Sequence, residues 1–283
     1  MKLKESRIGS FIVILAVYVM ALALGIEIYR LVDGYHWFRI LVADVVVTVF
    51  VFLFSCIFGN ASMYDPYWSV QPVAILLPLA FAAPTQSKLV LAFVILLWGI
   101  RLTGNWAYTF HGLGHQDWRY TQLHDKTGML YPFVNLAGIH MFPTIVVFMC
   151  ILPGIFVMDE SPAFNPLCML GATVSVGAVV LEFVSDIQMQ RYRRNRNSAF
   201  MEQGVWKYSM HPNYLGEILM WWGVAIYAVA LLGFRWYLLA GALMNNLMFL
   251  FISIPMADKR QSTKPGYDEY REGKNMLLPF RFR

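Results

Sequence analysis

The sequence predicts an all-α integral membrane protein with seven to eight transmembrane helices. Of its 283 residues 58% are hydrophobic and 14% charged, whereas about a quarter of a soluble domain's residues are charged. Mean hydropathy is +0.53. The apolar residues fall into runs long enough to cross a hydrocarbon core of about 30 Å, which takes roughly 20 helical residues each. These observations argue against a soluble function.

The spans are drawn near 8–28, 38–59, 67–84, 88–109, 131–157, 166–187, 213–234 and 236–256. The first follows a basic start (Lys2, Lys4, Arg7). Its apolar run from Ile8 to Ile26 is too long for a signal-peptide core and lacks a small-residue cleavage pattern, so it is a retained helix. The first and second spans read as packing. The third is short and carries Pro72 and Pro78, which makes it kinked or incomplete. The fourth runs into a polar stretch, and the fifth ends at "MDESP" (158–162), acidic and without Lys or Arg, which fits an outer loop. The sixth leaves the membrane through an arginine-rich segment, and the last two form one tight hairpin turning at Gly233.

Basic residues orient this arrangement. With the N-terminus inside and eight spans, all but four of the 22 Lys and Arg fall on the inner side, the exceptions being Arg30, Arg39, Lys88 and Arg235. The positive-inside rule then puts both termini in the cytoplasm. It also accounts for the net charge of +5 without a nucleic-acid partner. Cys56, Cys150 and Cys168 lie in or beside apolar segments with no CxxC spacing, so they suggest neither a disulfide framework nor a zinc site.

Three polar clusters stand out. In "EFVSDIQMQRYRRNRN" (182–197), Glu182, Asp186 and Gln190 are four apart and share one helix face, followed by Arg191, Arg193, Arg194 and Arg196. A positive-inside anchor for lipid headgroups explains the arginines, but intramembrane acids are costly and usually functional. A phosphorylated cofactor would use both groups, with arginine forks on phosphate and carboxylates on ribose hydroxyls or on the arginines. In "GVWKYSMHPNYLGEILMWWG" (204–223), His211 stands at a helix cap and Pro212 in its first turn, where free N–H groups can hold an anion. Asn213, Glu217 and Trp221 then recur every four residues. Interhelical bonding accounts for one such residue, as for Asn245 and Asn246, but His, Asn, Tyr and Glu within seven residues suggest more.

The third cluster, "RLTGNWAYTFHGLGHQDWRYTQLHDKTG" (101–128), combines Arg101, Asn105, His111, His115, Asp117, Arg119, His124 and Asp125 with aromatics. Gly112 and Gly114 argue against a rigid helix presenting His111 and His115 to a metal, and no HExxH occurs, so no metal site is expected. Trp118, Arg119 and Tyr120 suit stacking on a flat ring or an interfacial aromatic belt equally. GxGxxG after a strand, GxxxxGK[ST] and GxSxG do not occur, so a Rossmann fold, a P-loop and a nucleophile elbow are not on offer.

The stretch 204–223, with "SDIQMQRYR" before it and "KPGYDEYREGKNMLLPF" after it, resembles the C-terminal half of the steroid 5-alpha-reductase family, in its bacterial branch called DUF1295. "YDPYWS" (64–69), "RLTGNW" and "QDWRY" resemble the same branch. The resemblance covers roughly residues 60 to 283, giving a steroid 5-alpha-reductase-like membrane domain at 61–283 and N-terminal transmembrane helices at 1–60 of one structural unit. The HPNYxGE core is shared with sterol reductases and isoprenylcysteine carboxyl methyltransferases, so it identifies the superfamily better than the reaction.

The resemblance implies a cytoplasm-facing cavity for NADPH and a lipophilic enone, such as a 3-oxo-4-ene steroid, entering from the membrane lipids. Carried over by position, Asp186, Arg191, Asn213 and Glu217 match the cofactor motif, with His211 and Tyr214 beside them and Arg193 as the alternative to Arg191. Gln190, Tyr208 and Arg119 join them from the same stretches, and Lys259, Arg260 and Tyr270 from the tail. The family's enolate-stabilising carboxyl group and tyrosine fall on early helices. Asp65 takes the first place, as a buried neutral acid or, on the bland account, as a cap on the third helix with Pro66 in its first turn. Trp98 stands where the tyrosine is expected, so Tyr64 or Tyr108 takes its role, or the substrate is not a 3-oxo-4-ene steroid. Trp68, Trp98 and Asn105 are the expected substrate contacts.

Two other functions remain open: an S-adenosylmethionine-dependent methyltransferase of a lipophilic acceptor, and a non-catalytic transport or lipid-binding protein. The first leaves the arginines surplus. The second needs a polar path across the bilayer, whereas the deep polar groups cluster on one side, apart from Asp44 and the Asn245, Asn246 pair. The bacterial branch points to an inner membrane, and a eukaryotic source would point to the endoplasmic reticulum.

Overall fold

The computed structural model describes residues 2–195, 198–272 and 274–278. Arg196 and Asn197 of the arginine-rich stretch lie outside them, as do Gly273, Pro279 and Phe280 of the tail motif and the basic Arg281 and Arg283. The described chain is an all-α membrane fold. Its main helices are α1 (Arg7–Leu31), α2 (His36–Phe58), α3 (Tyr67–Ala82), α4 (Gln86–Thr109), α5 (Trp118–Thr127), α6 (Phe142–Glu160), α7 (Cys168–Arg194), α8 (Pro212–Leu232), α9 (Tyr237–Met248) and α10 (Ile254–Gln261).

Seven helical stretches among the described residues are long and apolar enough to cross a membrane, one of them continuous from Trp118 to Glu160 through the π segment Asn135–Met141. The 16-residue α3, containing Pro72 and Pro78, makes the eighth run between the two ends of the bundle. It is short because buried irregular backbone precedes it. Polar side chains satisfy that backbone, as burial requires. Asn60 Nδ2 donates to the carbonyls of Leu113 (2.8 Å) and His115 (2.9 Å), and Gln116 Oε1 accepts from the Ala61 N–H at 3.0 Å.

Both ends of the described chain meet at one end of the bundle. Gly114 N–H donates to the Lys4 carbonyl (3.0 Å), and Arg260 lies over the Trp118 ring at 4.3 Å. At the opposite end His36 pairs with Asp159, Arg235 with Glu160, and the Asn165 amide with the Ala230 carbonyl. Of the four basic residues assigned there, Arg30 pairs with Glu27, Arg39 bonds the Tyr29 carbonyl, Arg235 is paired and Lys88 is buried.

The core centres on α6, whose buried residues face α3, α4, α8 and α9. Helices α7 and α8 pack most closely, and a Cβ at Gly171 would stand 2.4 Å from the Tyr227 nitrogen, so only glycine fits there. The outer face of α1 exposes Ile8, Ile12, Leu15 and Val19, an apolar surface for membrane lipid. The last two spans do form a hairpin, with Gly233 at φ +77°. The first two helices pack on one another, as expected, and with α3 they also wall a cavity of about 660 Å³.

Candidate functional site

The first cavity, about 160 Å³, opens among α4, α6, α7, α8 and α9. Its centre is Arg101 on α4, with a side chain 7% exposed. The face of α7 that carries a polar group every fourth residue meets a matching face of α4. Arg101 pairs with Glu182 and with Asp186 (3.1 Å), and one turn on Gln190 Nε2 donates to Asn105 Oδ1 at 2.7 Å. Helix α8 adds Glu217, 3.4 Å from Arg101. One guanidinium therefore stands among three carboxylates. The approach of α7 to α8 depends on Gly216, where a Cβ would lie 2.2 Å from Glu182 Cγ.

Glu217 is held at both oxygens. Trp98 Nε1 donates to Oε2 (2.9 Å) and Trp221 Nε1 to Oε1 (2.8 Å), with the two indoles edge to face at 4.9 Å. Buried polar atoms ordinarily have partners. Here Arg101 Nε, Glu182 Oε1 and Trp68 Nε1 have none, and all three belong to residues lining this cavity. The residues that line the site thus hold two N–H donors and one carboxyl oxygen without protein partners.

The structure brings together at this cavity Asp186, Asn213, Tyr214 and Glu217 from the expected cofactor set and Trp68, Trp98 and Asn105 from the expected substrate set. At its rim Tyr214 stacks on His211 (5.1 Å) and meets Phe249 at a tilt (4.9 Å), and His211 Nε2 meets Asp258 Oδ1 at 2.9 Å. Gln190 adjoins the cavity through Asn105. The remaining cofactor candidates do not line it. Arg191 and Arg193 are exposed at the end of α7, as is Lys259 on α10. Arg119 pairs with Asp117 (2.9 Å), and Arg260 lies on Trp118. Tyr208 is 55% exposed, and Tyr270 stacks on Phe200 at 4.5 Å.

The three expected catalytic residues line neither cavity. Tyr108 is exposed, its ring beneath Arg194 at 5.2 Å. Tyr64 is wholly buried and bonds Thr144 Oγ1 at 2.6 Å. Asp65 accepts from the Tyr120 hydroxyl at 2.6 Å, and its side chain does not cap α3, which starts behind Pro66 with no side-chain cap, so the capping account is corrected. Burial pushes the Asp65 carboxyl up to about 7, against the Tyr120 hydrogen bond and the Arg119 charge. The folded state therefore holds a proton that the unfolded chain, at about 4, has released, and stability must fall as pH rises from about 4 to about 7. Asp65→Asn is expected to flatten that part of the melting-temperature profile. An unchanged slope in this variant would show that Asp65 titrates normally.

The second cavity, about 660 Å³, lies among α1, α2 and α3 and is lined almost wholly by apolar side chains. Of its polar lining residues Tyr18, Tyr29, His36, Asp44, Tyr67 and Gln71, the last three form a buried triad. Tyr67 OH donates to Asp44 Oδ1 (2.6 Å) and Gln71 Nε2 to Asp44 Oδ2 (3.0 Å), while Gln71 Oε1 has no partner. Sequence reasoning missed this triad, as it missed Arg101 as a site residue and Asp258. The one available signal was Asp44 itself, an acid inside an apolar run.

A family model described as "Protein of unknown function (DUF1295)" matches residues 51–274, which hold all of the first cavity's lining and begin after Asp44. An uncharacterized protein of Schizosaccharomyces pombe is 25% identical over 192 residues, 57% of this chain and 56% of its own length. The chain thus spans about half the length of that relative. No solved structure matches the chain.

Proposed function

From a chain that belongs to the DUF1295 family, we propose an NADPH-dependent membrane reductase that saturates the C=C bond of a lipophilic enone, a 3-oxo-4-ene steroid or similar lipid. The observation that carries this is Arg101 with its three carboxylates, whose unpartnered Nε and Glu182 Oε1 share a cavity with the unpartnered Trp68 N–H. A carboxamide on a single ring fits such a set, its oxygen accepting and its NH2 donating. A surplus of carboxylates favours a ring that turns cationic when oxidised. Arg191 and Arg193, at the end of α7 that carries Asp186 and Gln190, suit the phosphates outside.

Bound NADPH supplies hydride, and the rest falls to this chain's residues. Arg101, Glu182 and Asp186 orient the ring amide. Trp98 and Trp221 lock Glu217 and exclude water. The apolar second cavity takes the lipid from the bilayer, and Tyr67, Gln71 and Asp44 meet its carbonyl, where negative charge builds as hydride arrives at the β carbon. Asp44 and Tyr67 thereby take the carboxyl and tyrosine roles that the resemblance to steroid 5-alpha-reductases placed on Asp65 and Tyr64 or Tyr108. Trp68 borders the first cavity and the neighbouring Tyr67 the second, so Trp68 is the side chain that must move for the two ligands to meet. This reading places the arginine-bearing end in the cytoplasm, at a bacterial inner membrane or, in a eukaryote, the endoplasmic reticulum.

The same three carboxylates also favour a cationic sulfonium, which keeps an S-adenosylmethionine-dependent methyltransferase as the second reading. Thermal unfolding in detergent with NADPH, NADH and S-adenosylmethionine decides between them. A ligand at 100 times its Kd stabilises by about 2.7 kcal/mol. NADPH alone is expected to raise the melting temperature, and Asn213→Ala to lose most of that rise with its ligand-free melting temperature unchanged. Stabilisation by S-adenosylmethionine alone would transfer the site to methyl transfer. Stabilisation by none of the three would favour a lipid-binding or transport protein.

A further inference from the structure

The buried polar groups do not end at Asp44. The Thr48 hydroxyl stands beside Tyr67, Thr48 Oγ1 lies 2.8 Å from Thr144 Oγ1, and Thr144 Oγ1 lies 2.6 Å from Tyr64 OH. Asp44, Tyr67, Thr48, Thr144 and Tyr64 form one buried file of two hydrogen-bonded stretches that adjoin at Tyr67 and Thr48, every member no more than 7% exposed. It joins residues from α2, α3, α6 and the irregular segment before α3. Valine, leucine or phenylalanine would fill the same space without the cost of burying hydroxyls. At the far end of the file His140 is fully buried, its ring 4.6 Å from that of Tyr64. Its Nδ1 meets the Asn135 carbonyl at 3.1 Å and its Nε2 has no partner. His140 sits in the π segment Asn135–Met141, an irregularity that often accompanies function.

We infer that this file is a proton relay from the Tyr64 end of the bundle into the lipid-walled cavity. The inference rests on the reductase reading. Saturating a C=C bond takes one hydride and one proton, and Asp44 is the one carboxyl among the described lining of the apolar cavity, where the Tyr18 hydroxyl is spent on the Met63 carbonyl and His36 is paired with Asp159. Asp44 gives its proton to the substrate, and its O–H bond is remade from Tyr67, that of Tyr67 from Thr48, that of Thr48 from Thr144, and that of Thr144 from Tyr64. The last proton is the H⁺ that the overall reduction takes from the aqueous medium, and His140 is the buried imidazole at that end. Each hydroxyl breaks one O–H bond and forms another, so no charge is left in the file. Thr48 and Thr144 are positioning residues, since neither touches the substrate.

The test compares Thr144→Val, which keeps the shape and removes the hydroxyl, with Thr144→Ser, which keeps the hydroxyl. Thr48→Val repeats it should Thr144→Val fail to fold. The first readout needs no cofactor. In reconstituted membranes acidified until the carboxyl C=O band removed by Asp44→Asn is present, transfer into heavy water shifts that band by deuterium exchange. Exchange is expected to slow at least tenfold in Thr144→Val and to stay near wild type in Thr144→Ser. The second readout is enone reduction, where Thr144→Val should lower kcat about tenfold and enlarge the solvent deuterium isotope effect, with KM and NADPH stabilisation unchanged. Equal exchange in the valine and serine variants would overturn the relay even with reductase activity intact. A wild type inactive on every enone would overturn the reductase reading, and exchange would still decide whether the file conducts protons.

Discussion

Replacing Arg101 by methionine is expected to be the most destabilising single change in the protein. The variant would leave Glu182, Asp186 and Glu217 around a buried space with no cation, and removing one partner from a buried pair typically costs about 3–5 kcal/mol. Part of that loss is the stranding of the acids, so adding Glu182→Leu to Arg101→Met should recover some of it. Chemical unfolding in detergent, read by tryptophan fluorescence, gives both numbers. A cost below about 1 kcal/mol would mean that the acids are neutral without the guanidinium, and the account of Arg101 as their counterion would fall.

The second large effect concerns catalysis. Asp44→Asn keeps the size of the side chain but replaces one of the two oxygens that hold Tyr67 and Gln71. Losing a group that stabilises charge on a carbonyl oxygen costs about 10²–10³ in kcat, and Asp44→Asn is expected to lose at least that much while NADPH stabilises the variant as well as it does wild type. Tyr67→Phe should fall in the same range. Steady-state reduction of an enone panel, run beside the melting experiment, separates the two quantities. If Asp44→Asn stays active and Asp65→Asn does not, the donor is the Asp65 and Tyr120 pair, and the apolar cavity is no substrate site.

Much of the fold is legible in the sequence. The helices follow from apolar runs that could not be soluble, and the hairpin at Gly233 from the short gap between two such runs. The polar stripes on α7 and α8 follow from four-residue spacing, which is why Asp186, Asn213, Tyr214 and Glu217 do line one cavity. The failures have a common cause. Arg101 read only as one member of a polar cluster because its partners Asp186 and Glu217 are 85 and 116 residues away. Tyr108 was attractive by its place at the end of a span, yet it turns outward beneath Arg194. Asp65 read as a helix cap or a catalytic acid, and a tyrosine 55 residues on claimed it.

The sequence by itself determined what is local or periodic: the class of fold, a range of seven to eight passes, the pairing of polar positions along each helix and several of the residues that line the first cavity. Those properties depend on the 3.6-residue turn and on the apolar thickness of a bilayer, both of which act on neighbours in the chain. The tertiary structure alone decided which faces meet. It placed one arginine among three acids from two other helices, left a large cavity between helices that looked like packing, and aligned hydroxyls from four segments into a file. Such contacts carry no periodic signal, because each is set by how separate helices approach across the bundle.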